Sequence, residues 1–367
     1  TSLTVLRYGQ PTRSGVYALG AVRLRQQLEL TRYAHDLQVA LLKRVITNVI
    51  DEIRLEIPLH KVTQIVGIGG DLRLAATHIH AQEGAENARE IPRDGVLAFT
   101  ADIEKLDEEG LVGRFRLPVV EADTLIPSML VYSALLAETS ARRVIVSGAS
   151  LRSGLLIDLA QPEAQVAADD FEHQVLASAE ALGHRFRFDK AHGRHVQKLA
   201  TQLFDQLRDE HRLSNRERLL LQTAALLHDV GVHVSLRAHH KHSQYILSAS
   251  QIFGLSGRET AVVANVARYH RGSRPQRTHL AYLELDQHER MLANKLAALL
   301  RIANALDAEH LQKVRDAVLV RDGATWVLEL TGTGDITMEQ IAATARTDMF
   351  IEVFGRELLI RTVGVGA

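Results

Sequence analysis

The hydrophobic pattern of this chain changes near residue 169, and that change limits the folds available to it. Up to about Gly154, short apolar runs such as Val144-Ile145-Val146 are separated by long helical segments, which favours an α/β layer with parallel strands. Beyond Asp169 the apolar residues recur at three- and four-residue spacing, with almost no strand signal. We therefore predict three parts: an α/β lobe (residues 1–160), an all-α domain (169–310) and a small α+β tail (311–367).

The composition excludes several kinds of site. Cysteine is absent, so the chain has no disulfide, no thiolate metal site and no catalytic cysteine. The net charge is −1, so a surface that binds polyanions has to be local. We find no segment near the roughly 20 apolar residues of a membrane span, and the start, Thr1–Leu6, lacks a signal-peptide pattern and an initiator Met. We expect a soluble, cytoplasmic protein whose sequence begins upstream of Thr1.

Helical periodicity is clearest in two segments of the middle region. One apolar stripe runs along Val196, Leu199, Ala200, Leu203, Phe204 and Leu207. A second follows Leu219 to Val230, with Asn215 as a plausible N-cap and Gly231 as its end. After Ala317, two apolar runs around Asp322-Gly323 predict a hairpin, followed by a helix from Met338 and a strand over residues 357–362.

A glycine-rich turn in the first lobe could hold a phosphate. The run Val66-Gly67-Ile68-Gly69-Gly70-Asp71 places glycines where a strand ends and a helix begins, and backbone amides at such a turn can bind an anion. We therefore predict Gly69, Gly70 and Arg73 as phosphate-binding residues; a tight turn without a ligand is the structural alternative. The spacing is not G-x-G-x-x-G, which disfavours a dinucleotide site.

Histidine is concentrated in the helical region. Of the 18 histidines, all but His35, His60, His78 and His80 lie between His173 and His310. Five residues there have the side chains of a metal site in the order H…HD…H…H, and imidazole and carboxylate ligands suit zinc, manganese, iron or magnesium. These are His195, His228, Asp229, His242 and His270.

Several of these residues also have an interpretation that needs no metal. A single histidine beside an apolar stripe, such as His195, is often a hydrogen-bonded core residue, and His239 and His240 resemble a solvated turn. His270 has Arg268 and Arg271 as neighbours and could face a phosphate instead. The His228-Asp229 pair favours a metal more strongly, because a charged Asp at the end of an apolar helix is costly unless it is paired or ligated.

A sixth ligand is expected on the last helix. Asn304 and Asp307 lie three residues apart on one face there. A neutral Asn is a poor replacement for a carboxylate, so either Asp307 serves as the ligand or the site is weakened.

Four segments together resemble the exopolyphosphatase / guanosine pentaphosphate phosphohydrolase (Ppx/GppA) family. Residues 17–24 resemble its "LGAVRL" segment, and residues 66–75 its "GxGGTxRxLA" turn, with Asp71 where Thr is usual. Residues 144–156 resemble its "VSGxSLREGLL" element, with Ser153 in place of an acidic residue, and residues 350–356 its C-terminal part. The middle region resembles the HD-type helical domain of longer members.

The resemblance implies half of an actin-like, ribonuclease-H-like unit, followed by an HD-type helical domain and the small α+β tail. It implies removal of the terminal phosphate from polyphosphate or guanosine pentaphosphate with magnesium, whereas zinc, manganese or iron would suit the HD-like site. In the family, the phosphate-binding loops and the catalytic glutamate precede the segment that matches Thr4 to Leu24. We therefore expect no catalytic residue for polyphosphate in this chain, which alone should be inactive on it.

Two alternatives remain open at this point. The helical domain could itself be a metal-dependent phosphohydrolase acting on a nucleotide, or it could only bind polyphosphate or dimerise, with Arg268, Arg271 and Arg274 lining a channel. We expect a homodimer, and no membrane or nucleic-acid partner.

Overall fold

This computed structural model describes residues 1–28, 33–79, 82–83, 88–150, 153–154, 156, 165–323 and 325–363. The backbone divides into two compact units, Thr1–Leu3 with Val16–Ala167 and Thr4–Gly15 with Ala168–Ala367. Strands β1 (Ser2–Arg7) and β2 (Gln10–Val16) pair as a two-stranded sheet. Residues 151, 152 and 155 of the third family-like segment lie outside the described residues.

The first unit contains a mixed four-stranded sheet in the order β3-β6-β5-β4. Its strands are β3 (Ile65–Gly67), β4 (Gln82–Glu83), β5 (Arg89–Pro92) and β6 (Arg143–Val146). β3 and β6 are parallel, as predicted, whereas β5 runs antiparallel to β6. The helices are α1 (Ala21–Leu28), α2 (His35–Glu56), α3 (Gly70–His78), α4 (Arg93–Ile103), α5 (Glu108–Phe115) and α6 (Val119–Glu138).

Helix α6 does not match the expectation that no segment approaches the length and apolarity of a membrane span. By length and composition it is long and apolar enough to cross a membrane, and it is the one helix among the described residues that passes this test. Leu125, Met129 and Leu136 on this helix are fully buried inside the first unit. The core helix of a folded domain has the same composition, so this length and apolarity alone are weak evidence of a membrane span.

The second unit is built mainly of helices around one apolar core. These are α7 (Gln165–Arg185), α8 (Lys190–Gln206), α9 (Arg208–His211), α10 (Asn215–Leu227), α11 (His239–Ser248), α12 (Gly257–Arg268), α13 (Leu280–Leu283) and α14 (Gln287–Ala305). The stripe predicted on α8, from Val196 to Leu207, is buried as expected. Helix α10 is capped by Ser214, not by Asn215, because Ser214 and Glu217 form a reciprocal capping box.

A three-stranded sheet completes the second unit. β7 (Val314–Asp322) pairs antiparallel with β8 (Thr325–Gly332), and β9 (Leu358–Thr362) pairs parallel with β8. Helices α15 (Thr337–Thr344) and α16 (Thr347–Phe354) connect β8 to β9. The sequence predicts a separate domain over residues 311–367, but Leu328, Leu330 and Phe350 bury their side chains in the same core as the helices. The tail is therefore part of the helical unit.

Candidate metal centre

Five segments of the helical unit bring polar side chains to one place. His192 lies in the first turn of α8, and His228-Asp229 follow directly after α10. A short 3-10 turn, Val230–His233, precedes α11, which begins with His239. His270 comes two residues after the end of α12, and Asn304 is in the last turn of α14. Each side chain thus sits at or near a helix end, where the backbone can fix its position.

The Nδ1 atoms of four imidazoles are all engaged as donors. His228 donates to the carbonyl of Ala225 at 2.7 Å, and His270 donates to that of Ala267 at 2.6 Å. His239 donates to the carbonyl of Leu236 at 3.1 Å. A carbonyl oxygen can only accept, so in each neutral ring the proton is on Nδ1 and Nε2 carries a lone pair.

The fourth imidazole is fixed by a carboxylate. His192 donates from Nδ1 to Oδ2 of Asp307 at 2.8 Å, and both side chains are buried. Asp307 also accepts from the backbone amide and the side chain of Gln312. This is the pattern of a carboxylate that orients a metal-binding histidine from behind.

The four Nε2 atoms converge in two close pairs. Nε2 of His192 lies 3.2 Å from Nε2 of His228, and Nε2 of His239 lies 3.3 Å from Nε2 of His270. Two lone pairs at such a distance repel each other, and a cation between them turns the repulsion into ligation. The donor set therefore fits a metal ion.

Asp229 joins the two histidine pairs. Its Oδ1 lies 3.1 Å from Nε2 of His239 and 3.3 Å from Nε2 of His270, and its Oδ2 lies 3.8 Å from Nε2 of His192. The ligand atoms form two overlapping groups that share this residue: His192, His228 and Asp229, and Asp229, His239 and His270. Oδ1 is buried without a satisfied hydrogen bond. One carboxylate is thus placed to serve both groups.

Burial and charge set the protonation of these side chains. Burial lowers the pKa of His228, and it lowers the pKa of His270 well below its usual value, which keeps both rings neutral. Burial by itself raises the pKa of Asp229, but its electrostatic and hydrogen-bond contacts outweigh burial and lower that pKa. His228 and His270 as neutral rings and Asp229 as an ionised carboxylate are thus in the ligand state that metals require.

Asn304 faces the same centre. Its Oδ1 lies 2.9 Å from Nε2 of His228 and 3.2 Å from Nε2 of His192. This amide oxygen therefore points into the same centre as the two nitrogens. Asn304 is therefore a candidate ligand, whereas Asp307, predicted from sequence as the replacement, supports His192 from behind.

The structure brings together three of the six predicted ligands; Asp307 lies behind His192, and two more lie outside. His228, Asp229 and His270 meet in the centre, but His195 and His242 are in neither group of ligand atoms. His195 hydrogen-bonds to the backbone at Val314, and burial lowers its pKa. His192 and His239, each three residues earlier on the same helix, take their places. The apolar stripe on α8 contained a signal for His192, since residues 192, 196, 199 and 203 follow spacings of four, three and four.

A cavity of about 550 Å³ opens onto this centre. Asp229, His239, His270 and Asn304 line it, and Arg187, Arg271 and Arg346 are among the cationic lining residues. Its apolar lining residues include Phe186, Phe188, Val232, Leu236 and Ala342. His310 also lines the cavity; its ring stacks on His192 at 3.6 Å between centroids, and its Nδ1 lies 3.3 Å from Asp189. The cavity thus offers a metal centre, positive charge and an apolar surface together.

The predicted arginines have different surroundings. Arg271 lines the cavity, with Nη1 3.4 Å from Nε2 of His239. Arg268 is buried, with Nη1 unpartnered. Arg274 forms ion pairs with Asp348 and Glu352, so its charge is compensated. Only the first two fit the anion-binding role proposed for a channel.

The glycine-rich turn of the first unit has a packing reason. A Cβ on Gly67 would lie 2.1 Å from Cδ2 of Leu72 and 3.2 Å from the ring of Tyr132. Gly69 caps α3 and Gly70 begins it, but Asp71 in the first turn accepts from Ser128 and Thr124. Arg73 donates to the carbonyl of Ala149 at 3.3 Å. These contacts account for the turn without a phosphate, and binding by Gly69, Gly70 and Arg73 stays a prediction.

Comparison with known proteins identifies the helical unit. Residues 176–334 match the family described as Ppx/GppA phosphatase, domain III. The chain is 26% identical over 177 residues to a guanosine-5'-triphosphate,3'-diphosphate pyrophosphatase of Vibrio campbellii, covering 47% of this chain and 33% of that protein. It is 31% identical over 147 residues to the protein of the same name from Aeromonas hydrophila, covering 40% and 27%. The chain thus spans about a third of the length of these relatives.

Among solved structures, the Aquifex aeolicus member of the Ppx/GppA family is similar at a TM-score of 0.36 and 17% identity. This similarity covers 44% of this chain and 53% of that one. The match over residues 176–334 spans helices α8 to α14 and strands β7 and β8, which carry the whole metal centre. The helical unit, which holds the metal centre, is therefore similar to domain III of the Ppx/GppA phosphatase family.

Proposed function

We propose that the helical unit is a metal-dependent phosphohydrolase that acts on a phosphorylated nucleotide. The observation that carries this proposal is the convergence of four imidazole Nε2 atoms on the shared carboxylate of Asp229. The match of residues 176–334 to a domain of a phosphatase family supports the reaction class. Imidazole-rich ligation favours zinc, manganese or iron over magnesium, which prefers an all-oxygen shell.

The residues around the centre fit the needs of phosphoryl chemistry. A divalent ion held there would supply Lewis-acid activation of a phosphoryl group and of water. Arg187, Arg271 and Arg346 are placed along the cavity to bind phosphate oxygens and to stabilise the charge that develops on them. His310, paired with Asp189 at the cavity wall, is positioned to donate a proton to a leaving oxygen.

The apolar wall favours a nucleotide over an inorganic chain. Leu236 is 77% exposed and Val232 is 39% exposed, although both line the cavity beside the metal centre. Inorganic polyphosphate has no apolar part that could use this surface, whereas a nucleobase can pack on it. The relatives from Vibrio campbellii and Aeromonas hydrophila are named for a guanine nucleotide with two phosphate chains, so guanosine pentaphosphate is the first substrate to test.

The test combines metal analysis with phosphate release. We expect purified protein to retain stoichiometric zinc, manganese or iron, and Asp229→Asn and His228→Ala to lose both the metal and phosphate release from guanosine pentaphosphate. His242→Ala is the matched control, because this histidine lies on α11 outside the centre. Metal-free active protein, or equal loss in the control, would refute the proposal.

A second candidate is removal of terminal phosphate from inorganic polyphosphate. The match to domain III supports this candidate, because the family that the sequence resembles acts on polyphosphate. In this reading the first unit is half of an actin-like fold, and the helical unit binds polyphosphate without hydrolysing it. Binding of long-chain polyphosphate that is insensitive to Asp229→Asn, without release of phosphate by this chain alone, would favour this candidate over the first.

A further inference from the structure

Arg301 is a buried cation that does not line the cavity of the metal centre. It lies on α14 and is 2% exposed. Its Nη1 donates to the carbonyl of Tyr269 at 3.1 Å and to that of Gly272 at 3.2 Å. These two carbonyls stand on either side of His270 and Arg271 in the sequence. One guanidinium nitrogen thus closes the short loop that follows α12.

The loop closed by Arg301 carries two side chains of the metal centre and its cavity. His270 belongs to the second group of ligand atoms. Arg271 lines the cavity, with Nη1 3.4 Å from Nε2 of His239. The bond from Nδ1 of His270 to the carbonyl of Ala267 fixes the tautomer of the ring, but the place of the ring also depends on the loop backbone. A shift of this loop therefore moves a candidate ligand and a cationic side chain together.

The surroundings of Arg301 are poor for a residue that only stabilises the core. Its Nε is buried without an acceptor, and Oδ1 of Asp348 lies 3.7 Å from Nη2, beyond hydrogen-bonding distance. Burial lowers the pKa of Arg301, and Asp348 only partly opposes this effect. Taking a charge out of water is costly, and an apolar side chain of similar volume is often equally stable in such a place. The two carbonyl contacts are thus what a cation supplies here.

We propose that Arg301 is a positioning residue, which holds the loop after α12 so that His270 reaches the metal. The inference rests on the proposed metal-dependent function, because Arg301 acts through His270 and does not touch the ion. The ion pair with Asp348 has no part in this role, since it is long and its carboxylate is 45% exposed. The hydrogen bonds to the two loop carbonyls carry the whole effect.

The experiment measures the zinc affinity of the full chain by competition with a chelator of known affinity. We expect Arg301→Met to weaken binding about tenfold, the lower end of the loss when a group that supports a ligand is removed. Arg301→Lys should bind within about threefold of wild type, because one ammonium can donate to both carbonyls. Arg290→Met is the matched control and should bind like wild type. Arg290 is on the same helix and donates from Nε to the carbonyl of Leu285 at 2.8 Å, away from the loop.

A double-variant cycle separates positioning from a general effect on the fold. Because Arg301 acts through His270, Arg301→Met should cost almost nothing further in the His270→Ala background, and the two losses should not add. Additive losses would show that Arg301 acts independently of His270 and would overturn the role. Equal weakening by Arg290→Met would overturn it as well. If Arg301→Met does not fold, Arg301→Gln, which keeps an amide donor, goes through the same cycle with the same two outcomes.

The wild-type titration distinguishes this inference from the proposed function. Wild-type protein that binds no zinc, manganese or iron would refute the metal-dependent hydrolase and the role of Arg301 together. Zinc binding by wild type with unchanged affinity in Arg301→Met would refute the positioning role alone and leave the hydrolase proposal standing.

Discussion

The substitution Asp307→Asn tests whether Asp307 binds the metal itself or only positions the ligand His192. Asp307 is fully buried and accepts from three donors: Nδ1 of His192 at 2.8 Å, the amide of Gln312 at 2.7 Å and its side-chain nitrogen at 3.2 Å. Asparagine has the same shape but one acceptor oxygen. Either orientation of the amide turns an NH₂ group toward one of the donors.

The expected loss follows from these contacts. If the amide oxygen faces Gln312, His192 loses its partner and its fixed tautomer, and replacing such a supporting residue costs about 10–100-fold in metal affinity. That corresponds to about 1.4–2.7 kcal/mol at 25 °C. A buried donor left unsatisfied costs about 1–3 kcal/mol of folding stability as well. For a unit of this size each kcal/mol lowers Tm by about 2–4 °C.

Calorimetric titration with zinc or manganese, together with thermal melts with and without metal, measures both effects. Asp316→Asn is the control, because this aspartate is exposed on β7 and should leave affinity and Tm unchanged. Unchanged metal affinity in Asp307→Asn would refute the positioning role. Abolished binding, beyond about 1,000-fold, would instead make Asp307 a direct ligand, as the sequence predicts, because losing a supporting residue cannot cost that much.

Two further predictions concern the architecture of the centre. Gly231→Ala should abolish metal binding and lower Tm strongly, since its Cβ would lie 2.2 Å from the carbonyl of His239 and 2.3 Å from the amide of Ser243; Gly257→Ala, with open space around it, should bind metal normally in the same titration. The metal-free protein should lose stability as the pH falls below about 6.5, because burial lowers the native pKa of His228 and His270 while the unfolded rings still take up protons. The loss is up to about 1.4 kcal/mol per pH unit for each ring. Urea unfolding from pH 7.5 to 5.5 measures it, and a flat profile would contradict the assignment of neutral rings.

The sequence predicted the helical unit well because its apolar periodicity is long and regular. The buried stripe from Val196 to Leu207 and the pairing of β7 with β8 follow directly from spacing. The tail was predicted as a separate domain because the hydrophobic periodicity changes there. Such a change shows that a different type of element begins, but it does not show whether that element packs into a separate core. Side-chain burial, as for Phe350, decides which elements share a core, and single-sequence spacing does not contain it.

The site was predicted in part for a similar reason. Residue types and the adjacent His228-Asp229 pair indicated metal chemistry, and these residues meet with His270 in the centre. Choosing between His192 and His195 required the direction of each side chain on α8. Choosing between His239 and His242 required the start of α11, which follows a residue with positive φ, Ala238. Alanine gives no sequence signal for that conformation.

Asn304 gives the last test, because it determines how much negative charge the centre holds. All four imidazoles are neutral ligands, so Asp229 is the single anionic member of the two groups. Asn304→Asp would add a second carboxylate at the oxygen that lies 2.9 Å from Nε2 of His228. Metal affinity rises with the number of charged ligands, so we expect zinc or manganese to bind at least about tenfold more tightly.

The same substitution should act in the opposite direction without metal. Two carboxylates would then face each other in a buried site, and their repulsion should lower the Tm of the metal-free protein. In EDTA, Asn304→Asp should therefore melt at a lower temperature than wild type. In excess zinc, the order of the two Tm values should be reversed. If Asn304→Asp binds metal no better than wild type, then residue 304 is not a ligand, and the ion is held by the imidazoles and Asp229 alone.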